Sequence, residues 1–170
     1  MILGMSTAAY TLLHVLISLV GIGSGFIVLF GLLDGKRLDG WTALFLASTV
    51  ATSVTGYGFP TVQLLPSHIV GALSLVALAI AIVARYARHL AGAWRRTYVI
   101  TAAIALYFNV FVLVVQSFEK VPALRALAPT MKDPPFLVTQ LVVMAIFVVL
   151  TVFAVKGFRE EPAIPLKRAA

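Results

Sequence analysis

The charges in this sequence are confined to a few short stretches, and the intervals between them decide what the chain can fold into. No Asp, Glu, Lys or Arg occurs between Asp39 and Arg85, between Arg96 and Glu119, or between Asp133 and Lys156. The first apolar run has no Lys or Arg before it and continues to Leu33. A helix crossing the roughly 30 Å hydrocarbon core of a bilayer needs about 20 apolar residues, and these intervals are long enough to hold such helices. Composition agrees, with 61% hydrophobic and only 11% charged residues, where a soluble domain carries about 25% charge.

Five apolar segments stand out, at 7–33, 41–58, 67–84, 97–118 and 136–155. Backbone N–H and C=O groups cannot go unpaired in lipid, so the segments are expected to be helices. The sequence thus predicts an all-α integral membrane protein, a bundle of five transmembrane helices forming one domain over residues 1–156. A flexible cytoplasmic tail, 157–170, with mixed charges and two prolines follows it. The first run is too long for the apolar core of a cleavable signal peptide and is expected to be retained.

Orientation follows from the basic residues. In a five-span arrangement one side receives Lys36, Arg37, Arg85, Arg88, Arg95, Arg96, Lys156, Arg159, Lys167 and Arg168, and the other only Lys120, Arg125 and Lys132. This asymmetry predicts an outside N-terminus and a cytoplasmic C-terminus in a bacterial inner membrane. Trp41 and Trp94 then fall at the cytoplasmic interface. The fourth connector, 119–135, faces the periplasm. Pro122 and Pro129 bracket a stretch in it suited to a short interfacial helix, an irregular loop being the alternative.

The net charge of +7 does not point to nucleic acid, because the cations sit in connectors beside apolar spans rather than on a basic face. The partner it implies is the lipid bilayer. The absence of cysteine excludes disulfides, thiolate metal sites and thiol catalysis. With no charged residue inside a predicted span, a carboxylate-based proton pump is disfavoured. Histidine is the remaining titratable candidate.

His14 shares one face of the first helix with Ser18, Gly21 and Gly25, at offsets of 4, 7 and 11. His68 opens the third helix with Gly71 one turn below it, and the two histidines are expected at similar depth in the periplasmic half. His89 sits among arginines at the other end and reads as solvated. Uncharged polar residues gather near His14 and His68: Ser48, Thr49, Thr52, Ser53 and Thr55 on the second helix, Asn109 and Gln116 on the fourth, and Gln140 on the fifth. Tyr10 and Tyr57 are placed to cap them. A periplasm-facing polar pocket is the candidate site. One reading is structural, with interhelical hydrogen bonds and close packing at Gly21 and Gly25. The other makes His14 and His68 axial ligands of a b-type haem, or part of a copper site with Met5 or Met131, with Lys120, Arg125 or Lys132 pairing with propionates. A quinone pocket belongs to the same redox class. Ser18 has no carboxylate-oriented base, so hydrolase chemistry is not expected.

The stretch Thr55-Gly56-Tyr57-Gly58 is similar to the potassium-channel selectivity filter, although Val54 and Thr55 are inverted in order and Phe59 replaces the acidic residue that commonly follows. That resemblance implies a re-entrant segment whose carbonyls coordinate an ion, and hence a channel or small-solute permease. Across most of its length the chain also resembles a group of small uncharacterised proteobacterial inner-membrane proteins, through 14–22, 35–41 and 55–60. This implies a fold and no mechanism. In size it resembles di-haem cytochrome b561-like proteins, which carry more helix histidines, so at most one haem could be bis-histidine ligated. A redox or accessory role is favoured, with a channel, or a structural subunit of a larger membrane complex or homo-oligomer, as alternatives.

Overall fold

A computed structural model describes residues 2, 4–59 and 66–159. Among them the elements are α1 (Thr7–Leu33), α2 (Asp39–Gly56), α3 (Pro66–Ile82), α4 (Ala93–Lys120), α5 (Pro122–Leu127) and α6 (Pro134–Gly157), with no strand. Four helices are long and apolar enough to cross a membrane: α1, α3 with its extension to Ala87, α4 and α6. The helix boundaries have local causes. Ser6 caps α1 by accepting a hydrogen bond from the Ala9 N–H at 3.2 Å. Gly35, at φ +71°, ends α1 in a left-handed turn, with Lys36 N–H donating to Gly31 O and Gly35 N–H to Leu32 O. Proline opens both α5 and α6, where the first-turn N–H has no intrahelical partner to lose.

Of the helix and the loop open for the fourth connector, a short helix forms, α5. The remaining 160–170 of the expected tail lie outside the described residues. Its first residues do not behave as a loose tail, because α6 runs to Gly157 and Phe158 is buried against Tyr98.

Helix α2 is the polar helix of the bundle and also one of its most interior. It pairs antiparallel with α1 from Gly31 against Leu38 at one end to Tyr10 and His14 against Thr55 at the other. Its buried Thr42, Ser48, Thr49 and Ser53 face neighbouring helices. Each hydroxyl that lacks water must find a partner. Ser48 donates to Leu44 O at 2.6 Å, Ser53 donates to Ser74 of α3 at 3.3 Å, and Asn109 of α4 donates to Thr49 at 3.4 Å. The main core, to which α2 also contributes, brings together Phe45, Leu78, Val99, Leu106 and Phe147. A satellite cluster of Phe118, Ala128 and Phe136 fixes α5 against α4 and α6, and takes Met131 with it.

The two ends differ in chemistry. The histidine end gathers the start of α1, the end of α2, the start of α3, α5 and the start of α6. The arginine end gathers the opposite termini. There the sequence expectation needs correction: Arg85 is not a connector residue. After Ile82 the α3 helix widens into one π turn, Val83–Ala87, with Arg88 N–H donating to Val83 O at 2.9 Å. This rotation carries Arg85 inward, 2% exposed, where it pairs with Asp39 and lies 5.2 Å over the Tyr98 ring. His89 and Leu90 then turn the chain at positive φ, and His89 is exposed as expected.

Candidate functional site

His14 projects from α1 toward the last turn of α2, and its Nδ1 lies 2.8 Å from Thr55 Oγ1. The Thr55 hydroxyl has one proton, and it is directed at the Ala51 carbonyl at 2.7 Å, the helical i−4 acceptor. With its proton so directed, Thr55 accepts from His14. In that arrangement Nδ1 carries the imidazole proton, the tautomer that leaves a lone pair on Nε2. Among the described residues no donor reaches Nε2. The half-buried ring is held by Phe59, edge-on at 5.3 Å, and Tyr10 meets the same Phe59 at 5.1 Å. Tyr10 also donates its hydroxyl to Thr55 O at 2.8 Å, tying the first turns of α1 to the end of α2.

His68 lies across the same short segment. Its ring stacks on Tyr57 with centroids 5.4 Å apart and an interplanar angle of 16°, while the Tyr57 hydroxyl donates to His68 O at 2.7 Å. Gly71, one turn further on, comes against the Tyr57 hydroxyl, where a Cβ would stand 3.3 Å away. The two histidines thus occupy one end of the bundle, and each packs on a different aromatic ring of the Tyr57-Gly58-Phe59 segment. Gly56 sits next to the His14 ring.

The second-tier residues divide. Gly21 admits Ser48, Thr49 and Asn109 into one polar contact, since a Cβ there would meet all three within 3.4 Å. Gly25 has an apolar role, at the approach of Leu106 and Phe45. Gln140 is 8% exposed and donates to Phe111 O at 3.2 Å; among the described residues its buried Oε1 has no hydrogen-bond partner, and neither has Thr52 Oγ1. Thr52 is one turn beyond Thr49 on α2, and Gln140 reaches α4 at Phe111, two residues from Asn109. Gln116 does not join this layer. It donates to Glu119 at 3.3 Å near the exposed end of α4, because that acidic neighbour three residues on is within helical reach. Met131 is in the satellite cluster, not beside the histidines. Among the described residues no three His, Cys, Asp or Glu side chains converge as a metal cage would require.

The filter-like stretch is the C-terminus of α2 and its turn. Gly58 N–H and the Tyr10 hydroxyl both donate to Thr55 O, and Tyr57 N–H donates to Val54 O at 3.1 Å. A coordinating filter leaves such carbonyls to its ion. An open groove lies elsewhere, between α4 and α6, and its walls are apolar apart from Thr151 and Lys156. Polar chemistry, rather than concavity, marks the histidine end as the candidate site. Comparison with protein-family models, curated protein sequences and solved structures finds no match to the chain.

Sequence reasoning found His14, Thr55, Tyr10 and Tyr57 but gave Phe59 no role and missed the burial of Arg85. Phe59 lies just beyond the end of α2, and its ring meets Tyr10 and His14 of α1. The Arg85 position carried no comparable signal, since π turns have no spacing rule.

Proposed function

We propose that this is a five-span bacterial inner-membrane protein, with its N-terminus outside and C-terminus in the cytoplasm, that binds a quinone-type redox headgroup at its outer face. The observation that carries this reading is the 2.8 Å contact of His14 Nδ1 with Thr55 Oγ1, a hydroxyl that also lies 2.7 Å from Ala51 O. With the proton on Nδ1, Nε2 presents a lone pair toward aromatic surroundings at one end of the bundle. A hydroquinone hydroxyl donates to such a nitrogen, and the rings of Tyr10, Tyr57 and Phe59 suit a planar ligand. The same nitrogen would serve a haem iron or copper as ligand, with Thr55 as the orienting partner. The separate aromatic neighbours of His14 and His68 favour the quinone over a haem shared between them.

Five spans are supported by the pairing of α2 with α1 along its length. Its 18 residues reach about 27 Å, close to a hydrocarbon core. Because the chain has no cysteine, Lys36→Cys and Lys132→Cys report topology directly. A membrane-impermeant maleimide should label intact cells at position 132 and not at 36; the reverse result overturns the orientation.

The site is tested by solvent extraction, absorption spectroscopy and metal analysis on detergent-purified protein. Stoichiometric quinone in the wild type, lost in His14→Ala, is the expected result. A Soret band or stoichiometric copper lost in the same variant would make Nε2 a metal ligand instead. Full retention of any such group by His14→Ala/His68→Ala would sink the assignment. A group-free protein that co-purifies with partners at fixed stoichiometry would mark a structural subunit.

A further inference from the structure

The groove between α4 and α6 encloses about 480 Å³ and contains neither histidine. Ala103, Tyr107 and Phe147 form its floor, and its rims, including Ile104 and Val148, are exposed apolar side chains. In a bilayer such a rim faces lipid, so the groove must be filled by a hydrocarbon chain. On α6 it runs from Met144 to Lys156, about 18 Å at 1.5 Å per residue, close to the roughly 15 Å depth of one leaflet. A single acyl chain therefore fits along it from the midplane to the interface.

The interfacial mouth is cationic. Lys156 lines it, with its ammonium 6.0 Å from the Phe153 ring centroid. Arg96 is exposed one helical turn before the groove residue Ile100, and Arg159 is exposed three residues beyond Lys156. Among the described residues neither Lys156 nor Arg96 forms an ion pair; the three ion pairs present all involve Asp34 or Asp39. We infer that the α4–α6 groove is a binding site for one anionic phospholipid, with an acyl chain in the groove and the phosphate between Lys156 and Arg96. A phosphate binds cations at the interface without desolvating them fully, and a fixed acyl chain holds it there.

Neither His14 nor His68 lines the groove, so this site and the quinone site can fail independently. Native mass spectrometry of the detergent-purified protein tests it, with phosphatidylglycerol and phosphatidylcholine of identical acyl chains as probes. One phosphatidylglycerol should be retained in preference to phosphatidylcholine. Each basic residue near an anionic headgroup is worth about fivefold, so Lys156→Ala/Arg96→Ala should lower that preference by about thirtyfold. Val148→Trp, at an exposed rim position, should weaken both lipids by blocking the chain. Lys36→Ala/Arg37→Ala is the control and should change nothing. Equal retention of the two lipids overturns the headgroup site, as does an equal loss in the control variant. Unchanged binding in Val148→Trp overturns the chain site, and a quinone displacing phosphatidylglycerol one for one would reassign the groove.

Discussion

Replacing Gly25 by alanine should weaken the bundle while the same change at Gly23, two residues earlier on α1, should not. A Cβ at 25 would stand 2.6 Å from Leu106 Cδ1 and 2.9 Å from two ring atoms of Phe45. Carbon atoms pack best at about 3.5–4.0 Å, so the neighbours must retreat by about 1 Å. They have little room to do so, both being 1% exposed in the core. Overpacking of this kind costs about 1–3 kcal/mol. Gly23 is exposed, and a Cβ there would meet nothing within 4 Å. Alanine improves helix propensity by up to about 1 kcal/mol at either position, and that gain cancels when the two variants are compared. The expected difference is therefore the clash alone, about 1–3 kcal/mol. It can be read from SDS-driven unfolding in mixed micelles, followed by the fluorescence of Trp41 and Trp94. A difference below about 0.5 kcal/mol, well under that range, or a larger loss at Gly23, would refute the close approach of α1, α2 and α4. Leu106→Ala added to Gly25→Ala should cost less than the sum of the single changes, because it empties the space the methyl group needs.

Three further outcomes follow from particular contacts. Thr55→Val should release the proton of His14 Nδ1 from its acceptor, and ¹⁵N-histidine NMR should show a mixture of tautomers that Thr55→Ser does not; an unchanged spectrum would remove the basis for the Nε2 site. Asp39→Ala should destabilise the arginine end by about 1–3 kcal/mol, below the 3–5 of a fully buried pair, because the Asp39 side chain is 71% exposed while Arg85 is 2% exposed. Adding Arg85→Met should recover part of that loss, and no recovery in SDS unfolding would mean that Asp39 does not balance the Arg85 charge. A double-mutant cycle of Asn109→Ala with Thr49→Ala should return a coupling near 0.6 kcal/mol, the usual size for hydrogen bonds within membranes; a coupling of zero would separate α2 from α4 at that level.

The charge-free intervals, the terminal prolines and Gly35 determined by themselves where helices run and stop, because spanning length, capping and turn conformation depend on residues within a few positions. His14 and the Thr52–Tyr57 stretch could be singled out for the same reason: polar groups in an apolar run are conspicuous. Their partners could not be read. His14 meets Thr55 across 41 residues, Tyr98 meets Thr42 across 56, and Asn109 meets Thr49 across 60. Such pairings depend on which helix faces turn toward each other, and helices that are apolar on every side leave those faces unmarked. The tertiary structure alone decided that Arg85 is buried by a π turn and that Phe158 joins the core. In each case a local assignment was overridden by packing, where a buried charge or ring settles wherever a neighbour satisfies it.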